Sequence, residues 1–263
     1  MEKSYSDQKM HSKTKKIFTF LEFDENVQMP AYIYLCLKTW KKYLSDEYKI
    51  VILNSKNIEK FISKSLLPDI SKLKQRYPFP RFCDYIAALV LYENGGIFLD
   101  ADTIITEKFK DEDVLYYHCD TVLYSNSLFN VCPGFMKANK GSLFMEELIR
   151  RYRFDTHLPI AFDPHRNYII NDVIKYFDKE HITLIDSEKS GYCMEKAMYG
   201  VWDDYLYQNY YFSSLDSIED FLKTTRGITA LRNSVTNKRY KEMDVDEFLS
   251  MNFLLAKIFK VIL

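Results

Sequence analysis

The stretch ENGGIFLDADTIIT, residues 93–106, holds the features that decide the fold. Two glycines, Gly95 and Gly96, precede a short apolar run, and that run leads into two carboxylates, Asp100 and Asp102. The apolar run is typical of a buried strand, and Gly95 suits the left-handed cap of a preceding helix. The stretch therefore predicts a helix, a tight turn and a strand that ends on both acids.

The segments before this stretch alternate between strand and helix patterns. Short apolar and aromatic runs predict strands over 16–23 and 48–54. Apolar residues at spacings of three and four predict helices over 30–44, 58–67, 68–77 and 80–96. This alternation predicts an α/β fold with a mainly parallel sheet flanked by helices. Because open α/β sheets bind ligands beyond the carboxyl ends of their strands, Asp100 and Asp102 occupy a position suited to a ligand site.

The pattern after residue 106 is less regular. It predicts one or two strands over 114–126 and amphipathic helices over 142–154 and 166–177. The aromatic segment YLYQNYYF, residues 205–212, predicts a strand or the wall of a pocket. The final segment predicts a helix with a polar stripe of Ser250, Lys257 and Lys260. We therefore expect a flexible leader over 1–16, one domain over 17–247 and an amphipathic helix over 248–263.

Composition excludes several classes of protein. The 263 residues carry a net charge of -1, whereas nucleic-acid binders are usually basic, so we expect no nucleic-acid partner. The five cysteines form no CxxC pair, which favours a reducing cytoplasm with the thiols packed as small apolar groups. The polar N-terminus lacks the apolar core of a signal peptide. No uninterrupted apolar stretch is long enough to predict a transmembrane helix.

Two carboxylates at this spacing predict a cation site. In a strand, residues i and i+2 point to the same side, so Asp100 and Asp102 could face one ion while Ala101 turns into the packing. Two neighbouring carboxylates repel each other, and a divalent cation removes that cost. Hard oxygen ligands suit Mn²⁺ or Mg²⁺, which also bind phosphate oxygens. The pair therefore predicts a metal site that serves a phosphorylated ligand.

The sequence FCDYIAALVLYENGGIFLDADTIIT, residues 82–106, resembles the core motif of glycosyltransferases with a DXD sugar-binding region. It is most similar to the capsular polysaccharide synthesis branch of that group. Segments 16–23 and 29–54 resemble the first strand, first helix and second strand of that branch, and segment 231–249 resembles its C-terminal loop. The resemblance covers about half of the chain and leaves 110–225 largely unmatched.

This resemblance implies an A-type glycosyltransferase fold and a bacterial enzyme of surface-glycan synthesis. It implies transfer with retention from a nucleotide-sugar, for which we expect a UDP-sugar, and Mn²⁺ or Mg²⁺ as cofactor. The implied acceptor is a growing capsular or other cell-surface glycan, or a lipid-linked one.

The resemblance also implies roles for individual residues. Asp100 would contact the ribose or the sugar, Asp102 would ligate the metal on the diphosphate, and Asp84 would hydrogen-bond the donor sugar. Asn233, as a further metal ligand, and Ser234 would close over the diphosphate. The remaining donor-binding positions of the matched motifs are Phe20, Leu21, Arg81, Gly95, Gly96, Ala101 and Arg232.

Four positions depart from the family pattern. Ala87 stands where the family has Arg, and Arg81 would supply a cation from a different place. Leu21 replaces a Trp that often stacks on the base, and Arg232 and Val235 replace the His and Trp of the C-terminal loop. The guanidinium of Arg232 is always charged and suits a phosphate as well as His does.

Two alternative functions remain open at this point. IFLDADTII also matches the nucleophile motif of haloacid-dehalogenase-type phosphatases, in which Asp100 would attack phosphorus and Asp102 would act as general acid and base. That motif usually lies on the first strand, and the acidic pair Asp203–Asp204 lacks the expected Gly-Asp setting. The four replaced positions motivate the second alternative, a nucleotide-sugar-binding protein that has lost catalysis.

Segment 248–263 also has two interpretations. It packs on the domain or on a second subunit, or it inserts shallowly into a membrane surface with Lys257 and Lys260 meeting anionic lipid. The second interpretation places a cytoplasmic protein at the inner face of the cell membrane. The sequence leaves the oligomeric state undetermined.

Overall fold

The computed structural model describes residues 15–22, 28–66, 74–75, 77–109, 120–125, 131–155, 168–187, 204–214 and 217–263. The leader predicted over 1–16 and the helix predicted over 68–77 lie almost entirely outside these residues, and Asp203 lies outside them too. Within the described part, helices pack against a central sheet and a small second sheet.

The central sheet is mainly parallel, as predicted. The strands are β1 Lys15–Phe20, β2 Tyr48–Leu53, β3 Gly96–Leu99, β4 Thr103–Ile105, β5 Thr121–Ser125, β6 Val131–Ala138, β7 Ile182–Asp186 and β8 Ile228–Ala230. The sheet order is β2-β1-β3-β6-β5-β7, and β4 pairs with β8 in an antiparallel ribbon. Strand β1 is parallel to β2 and β3, β5 is parallel to β7, and β6 runs against both its neighbours. The carboxyl ends of β1, β2 and β3 therefore meet at one edge.

The helices predicted around the opening stretch are present. The α-helices are α1 Ala31–Leu44, α2 Phe79–Asn94, α3 Leu143–Asp155, α4 Tyr168–Ile174, α5 Asp204–Phe212, α6 Ile218–Thr224, α7 Lys238–Lys241, α8 Val245–Ser250 and α9 Leu254–Ile262. Helix α2 ends as predicted on Gly95, which has φ 66° and donates its N–H to the Leu91 carbonyl. Helix α2 thus delivers the chain directly into β3.

The described residues form three apolar cores, and two of them lie on either side of the site. The first core packs α2 and α3 on the sheet, with Phe18, Phe82, Leu89 and Tyr152 among its buried members. The second core joins the start of α1 to α5, α8 and α9, and it includes Ala101, Ile104 and Leu231. The two aspartates of the opening stretch therefore stand where the sheet edge meets the second core.

The helix predicted over 58–67 is wrong. The described part of this segment contains only a 3-10 turn, Ile58–Lys60. The carbonyl of Phe61, which a helix would use for its own ladder, accepts a hydrogen bond of 2.7 Å from the Asn94 side chain. Ser63 donates to the Glu93 carboxylate at 2.7 Å. Contacts with α2 therefore replace the regular helical bonds.

Segment 205–212 is not a strand, because it forms α5. Tyr207, Tyr210 and Tyr211 are buried on one face of this helix, at the spacing of three and four residues that a helix places together. Aromatic residues favour strands only through the surfaces on which they pack. Here that surface is a helix bundle, so tertiary packing overrides the preference.

The helix predicted over 248–263 is interrupted. Helix α8 ends at Ser250, Met251 is extended, and α9 begins at Leu254. The Leu254 N–H donates to the Ser213 carbonyl at 2.9 Å, so a contact beside α5 holds the break open. The apolar side of α9 is buried in the second core, which supports packing on the domain over lipid contact. No helix in the described part of the chain is long and apolar enough to cross a membrane.

Candidate functional site

The two aspartates lie in a tight turn between β3 and β4. Strand β3 ends at Leu99, and the Thr103 N–H donates to the Asp100 carbonyl at 3.1 Å. The Asp100 N–H donates to the Gly134 carbonyl of β6 at 2.8 Å. The expected strand alternation is therefore wrong at this point, because a turn of the main chain brings the carboxylates together.

Helix α1 fixes this turn through Thr39 and Trp40, and Trp40 packs in the third core with Leu99 and Ile105. The indole N–H of Trp40 donates to the Thr103 carbonyl at 2.6 Å. The hydroxyl of Thr39 accepts the Ile105 N–H at 3.0 Å. Ala101, between the two acids, is buried in the second core as the sequence predicts. The backbone around the pair is thus held from both directions.

The C-terminal loop meets Asp102 directly. The Asn233 N–H donates to Asp102 Oδ2 at 2.8 Å, and the Leu231 N–H donates to the Asp102 carbonyl at 2.9 Å. The side-chain oxygen of Asn233 accepts a hydrogen bond from the Tyr32 hydroxyl of α1. Residues separated by most of the chain therefore form one site. Ser234, next in the loop, is exposed.

Both carboxyl groups resist ionisation. Burial and, after it, the charge of Asp102 raise the pKa of Asp100 to about 7. Burial raises the pKa of Asp102 to about 6, although the Asn233 N–H and Lys241 oppose the shift. A positive charge between the two carboxylates would stabilise their ionised forms.

Asp100 and Asp102 are the side chains that could hold a divalent cation. Carboxylate oxygens suit Mg²⁺ and Mn²⁺, and Mg²⁺ sites commonly combine one or two carboxylates with phosphate oxygens and water. Among the described residues, no group of three or more His, Cys, Asp or Glu side chains is placed to bind a metal. Asn233, the third predicted ligand, contacts Asp102 through its backbone and Tyr32 through its side chain.

The start of α2 brings Asp84 toward the same place. Burial raises the pKa of the Cys83 thiol, and Asp100 and Asp84 raise it further. Both carboxylates are therefore near one buried thiol, and Asp84 is half-buried. The Arg81 guanidinium lies 5.7 Å from the ring centre of Tyr77. Ala87, where the family has Arg, is fully buried in the first core.

Phe20 and Leu21 lie at the same sheet edge as Asp100. Phe20 pairs with Leu53 in the register of β1 and β2, and its ring packs against Phe82. Leu21 is half-buried and donates its N–H to the Leu53 carbonyl at 2.9 Å. Phe20, the last residue of β1, and Leu21 therefore lie at the sheet edge that carries the turn, and their role in donor binding stays a prediction.

Gly95 and Gly96 lie at the opposite end of β3. With a strand rise of about 3.3 Å per residue, Gly96 is roughly 13 Å from Asp100. Gly96 has φ 112°, and a Cβ there would lie 2.6 Å from the Lys16 carbonyl oxygen. A Cβ on Gly95 would lie 2.8 Å from the Lys140 nitrogen. The structure gives both glycines a packing role and does not bring them to the acids.

Arg232 is anchored beside the site. Its guanidinium forms an ion pair of 2.5 Å with Asp204 and lies 5.7 Å from the ring centre of Tyr207. The backbone N–H of Arg232 donates to the Tyr207 hydroxyl at 3.1 Å. Val235 is half-buried against the second core.

Three residues near the site were not predicted from the sequence to serve it: Tyr32, Trp40 and Tyr207. The helical spacing of the tyrosines in α5 is the one sequence signal that could have pointed to any of them.

Comparison with known proteins agrees with this architecture. A family model described as capsular polysaccharide synthesis protein matches residues 1–152, more than half of the chain. A search of curated proteins finds no significant match.

Two solved structures share the fold. The apo form of the glycosyltransferase GlyE from Streptococcus pneumoniae aligns with a TM-score of 0.53 and 14% identity, over 94% of this chain and 59% of that one. This chain thus spans less than two thirds of GlyE. A glycosyltransferase involved in glycosylation of the major capsid of PBCV-1 aligns with a TM-score of 0.50 and 11% identity, over 86% of this chain and 97% of that one. These likenesses confirm the predicted A-type glycosyltransferase fold.

Proposed function

Because this chain belongs to the capsular polysaccharide synthesis protein family, we propose that it is a glycosyltransferase that moves a sugar from a nucleotide-sugar to a glycan. The proposed donor is a UDP-sugar, transferred with retention, and the proposed acceptor is a capsular or other cell-surface glycan or its lipid-linked form. The observation that carries the proposal is the 2.8 Å hydrogen bond from the Asn233 N–H to Asp102 Oδ2. It joins Asp102, within the matched residues 1–152, to the loop over 231–249 that resembles the C-terminal loop of the family.

We assign Mn²⁺ or Mg²⁺ to the Asp100–Asp102 pair. The donor set fits, since burial and mutual repulsion raise the pKa of Asp100 and a cation would relieve that repulsion. When bound, such an ion supplies positive charge to the diphosphate leaving group. Asp102 would ligate it, and Asp100 would also contact the ribose or sugar.

Other residues around the turn have roles that follow from their positions. Asp84, at the start of α2, would bind donor-sugar hydroxyls. It lies close to Asp100, because both carboxylates raise the pKa of the same buried thiol, Cys83, after burial itself. Asn233 and Ser234, both exposed, would cover the diphosphate. Arg232 and Lys241 add positive charge where negative charge grows on the leaving group. The leaving phosphate would accept the acceptor's proton, so no separate strong base is required.

The phosphatase alternative gains nothing from the geometry. Its candidate downstream acid, Asp204, pairs with Arg232 and belongs to α5. The turn that carries Asp100 follows β3, the third strand of the described residues, whereas the phosphatase motif usually lies on the first strand. Neither observation favours a nucleophilic role for Asp100.

A donor screen tests the proposed function. Wild-type protein is incubated with a panel of UDP-, GDP- and dTDP-sugars and Mn²⁺, and release of the nucleoside diphosphate is measured with and without EDTA. We expect release from at least one UDP-sugar and none after chelation. Phosphate release from a phosphomonoester without nucleotide release would instead support the phosphatase. Absence of both turnover and Mn²⁺-dependent thermal stabilisation by UDP would reject a nucleotide-sugar site.

A further inference from the structure

Three buried hydroxyl groups gather behind the C-terminal loop. Tyr32 of α1, Tyr207 of α5 and Thr236 of the loop are each less than 5% exposed. The Tyr207 hydroxyl lies 3.0 Å from Thr236 Oγ1. Burial and, after it, the nearby Tyr207 hydroxyl raise the pKa of Tyr32, so the two phenols lie close to each other. All three lie within or against the otherwise apolar second core. We call this set the hydroxyl cluster.

The hydroxyl cluster makes three hydrogen bonds to residues Arg232 and Asn233 of the C-terminal loop. The Tyr32 hydroxyl donates to Asn233 Oδ1, and the Tyr207 hydroxyl accepts the Arg232 N–H at 3.1 Å. Thr236 Oγ1 donates to the Arg232 carbonyl at 3.0 Å. Each hydroxyl therefore contacts the loop that carries the Asn233 N–H. That N–H is the group that orients Asp102.

We propose that Tyr32, Tyr207 and Thr236 are positioning residues, which aim the Asn233 N–H at Asp102 and so set the carboxylate for its ligand. The proposal rests on the proposed function, because that function gives Asp102 its ligand. The three side chains are buried beneath the loop, so they act on the site through Asn233 and Asp102.

Packing alone does not explain the hydroxyl cluster. Phe in place of Tyr and Val in place of Thr would fill similar space in the second core without polar atoms. Buried polar groups are costly unless each has a partner, and satisfied networks hold one arrangement in place of several. Here the partners are backbone and side-chain atoms of residues 232–236. The cluster therefore specifies the position of this loop.

The test replaces one hydroxyl at a time. Tyr32→Phe removes the donor to Asn233, and Tyr43→Phe is the matched control, because Tyr43 lies on the same helix and its hydroxyl donates to the distant Ile262 carbonyl at 2.5 Å. Residue-resolved hydrogen exchange by NMR reports the Asn233 amide in protein without ligand. Isothermal titration reports UDP affinity in the presence of Mn²⁺, and thermal unfolding reports stability.

We expect Tyr32→Phe to speed exchange at Asn233 about tenfold and to weaken UDP binding about tenfold, as for the loss of one well-placed hydrogen bond. Tyr43→Phe should change neither, even if its melting temperature falls as far. Unchanged exchange at Asn233, or faster exchange with unchanged UDP affinity, would overturn the proposal. If Tyr32→Phe does not fold, Tyr207→Phe and Thr236→Val undergo the same measurements with the same expectations. Wild-type protein that binds no UDP would instead reject the proposed function, whatever its exchange rates.

Discussion

The two walls of the site are held in different ways. The first wall is the turn from Asp100 to Thr103, which main-chain hydrogen bonds to β6 and the α1 side chains Thr39 and Trp40 fix in place. The second wall, residues 231–236, rests on the hydroxyl cluster and on the Arg232–Asp204 ion pair. A main-chain hydrogen bond ties the first wall directly to the central sheet, in addition to two side chains of α1. The contacts named for the second wall all depend on side chains, each of which a single substitution can remove. We therefore expect ligand-dependent adjustment to be concentrated in the second wall.

The largest effect is expected from removal of the Asp102 charge, because Asp102 joins the two walls. Asp102→Asn keeps the shape of the side chain but loses an ionised metal ligand. We expect loss of transfer by at least about 100-fold and loss of Mn²⁺-dependent UDP binding, because removal of a key electrostatic group costs on this order. The fold should remain intact, as circular dichroism and melting would show. Retained transfer would reject the assigned role.

The packing of β3, the strand that leads into the first wall, is tested at Gly96, the first residue of that strand. Gly96→Ala places a Cβ 2.6 Å from the Lys16 carbonyl oxygen at a φ of 112°. We expect a loss of about 2 kcal/mol or more in the free energy of unfolding, measured in urea, because the backbone must shift. Gly141→Ala is the control, since Gly141 has φ 76° but no heavy atom within 4 Å of the added Cβ. The control should lose only about 1 kcal/mol.

The same pair of variants separates packing from donor binding. If Gly96 acts through packing alone, the folded fraction of Gly96→Ala should bind UDP and Mn²⁺ with wild-type affinity. Weakened binding at unchanged stability would instead support the direct donor contact that the family resemblance implies for this glycine.

The smallest expected effect is a pH dependence of the protein without metal. The pKa values of Asp100 and Asp102, about 7 and about 6, lie above the ordinary carboxyl value of 3.8. At these two groups the folded state holds more protons than the unfolded state between pH 4 and 7, so their contribution to stability falls as pH rises through this window. We expect this pair to lower the melting temperature by several degrees across it.

Two controls sharpen that measurement. Saturating Mn²⁺ with UDP should reverse the slope, because the ionised pair then binds its ligand. Asp100→Asn should flatten the slope in metal-free buffer. The same slope for wild-type protein and Asp100→Asn in EDTA would contradict the raised pKa values.

The sequence predicts the local parts of this molecule well. The cap at Gly95, the strand that leads to Asp100 and the helix that begins near Pro30 follow from spacing and turn chemistry within short windows. Resemblance to a family, and not residue physics, suggested that Asn233 belongs near Asp102. The structure brings the two residues into contact through the Asn233 N–H, and the role of Asn233 in ligand binding stays a prediction.

The failures share a cause, which is competition from distant contacts. The Asn94 side chain donates a hydrogen bond to the Phe61 carbonyl, and the Leu254 N–H donates to the Ser213 carbonyl. The helices predicted over 58–67 and 248–263 are therefore not continuous. Tyr32 donates to Asn233 across 201 positions of sequence, a separation over which no periodicity carries information. Such contacts become visible only when the fold brings the partners together.

Helix α1 has a practical consequence for protein engineering. Tyr32 at its first turn reaches the second wall, Thr39 and Trp40 reach the first wall, and Lys42 near its end donates to the Ile262 carbonyl at 2.9 Å. A substitution library that seeks a new sugar preference should leave Tyr32, Thr39 and Trp40 unchanged, because their hydrogen bonds hold both walls of the site. The exposed loop position Ser234 offers a safer place to diversify.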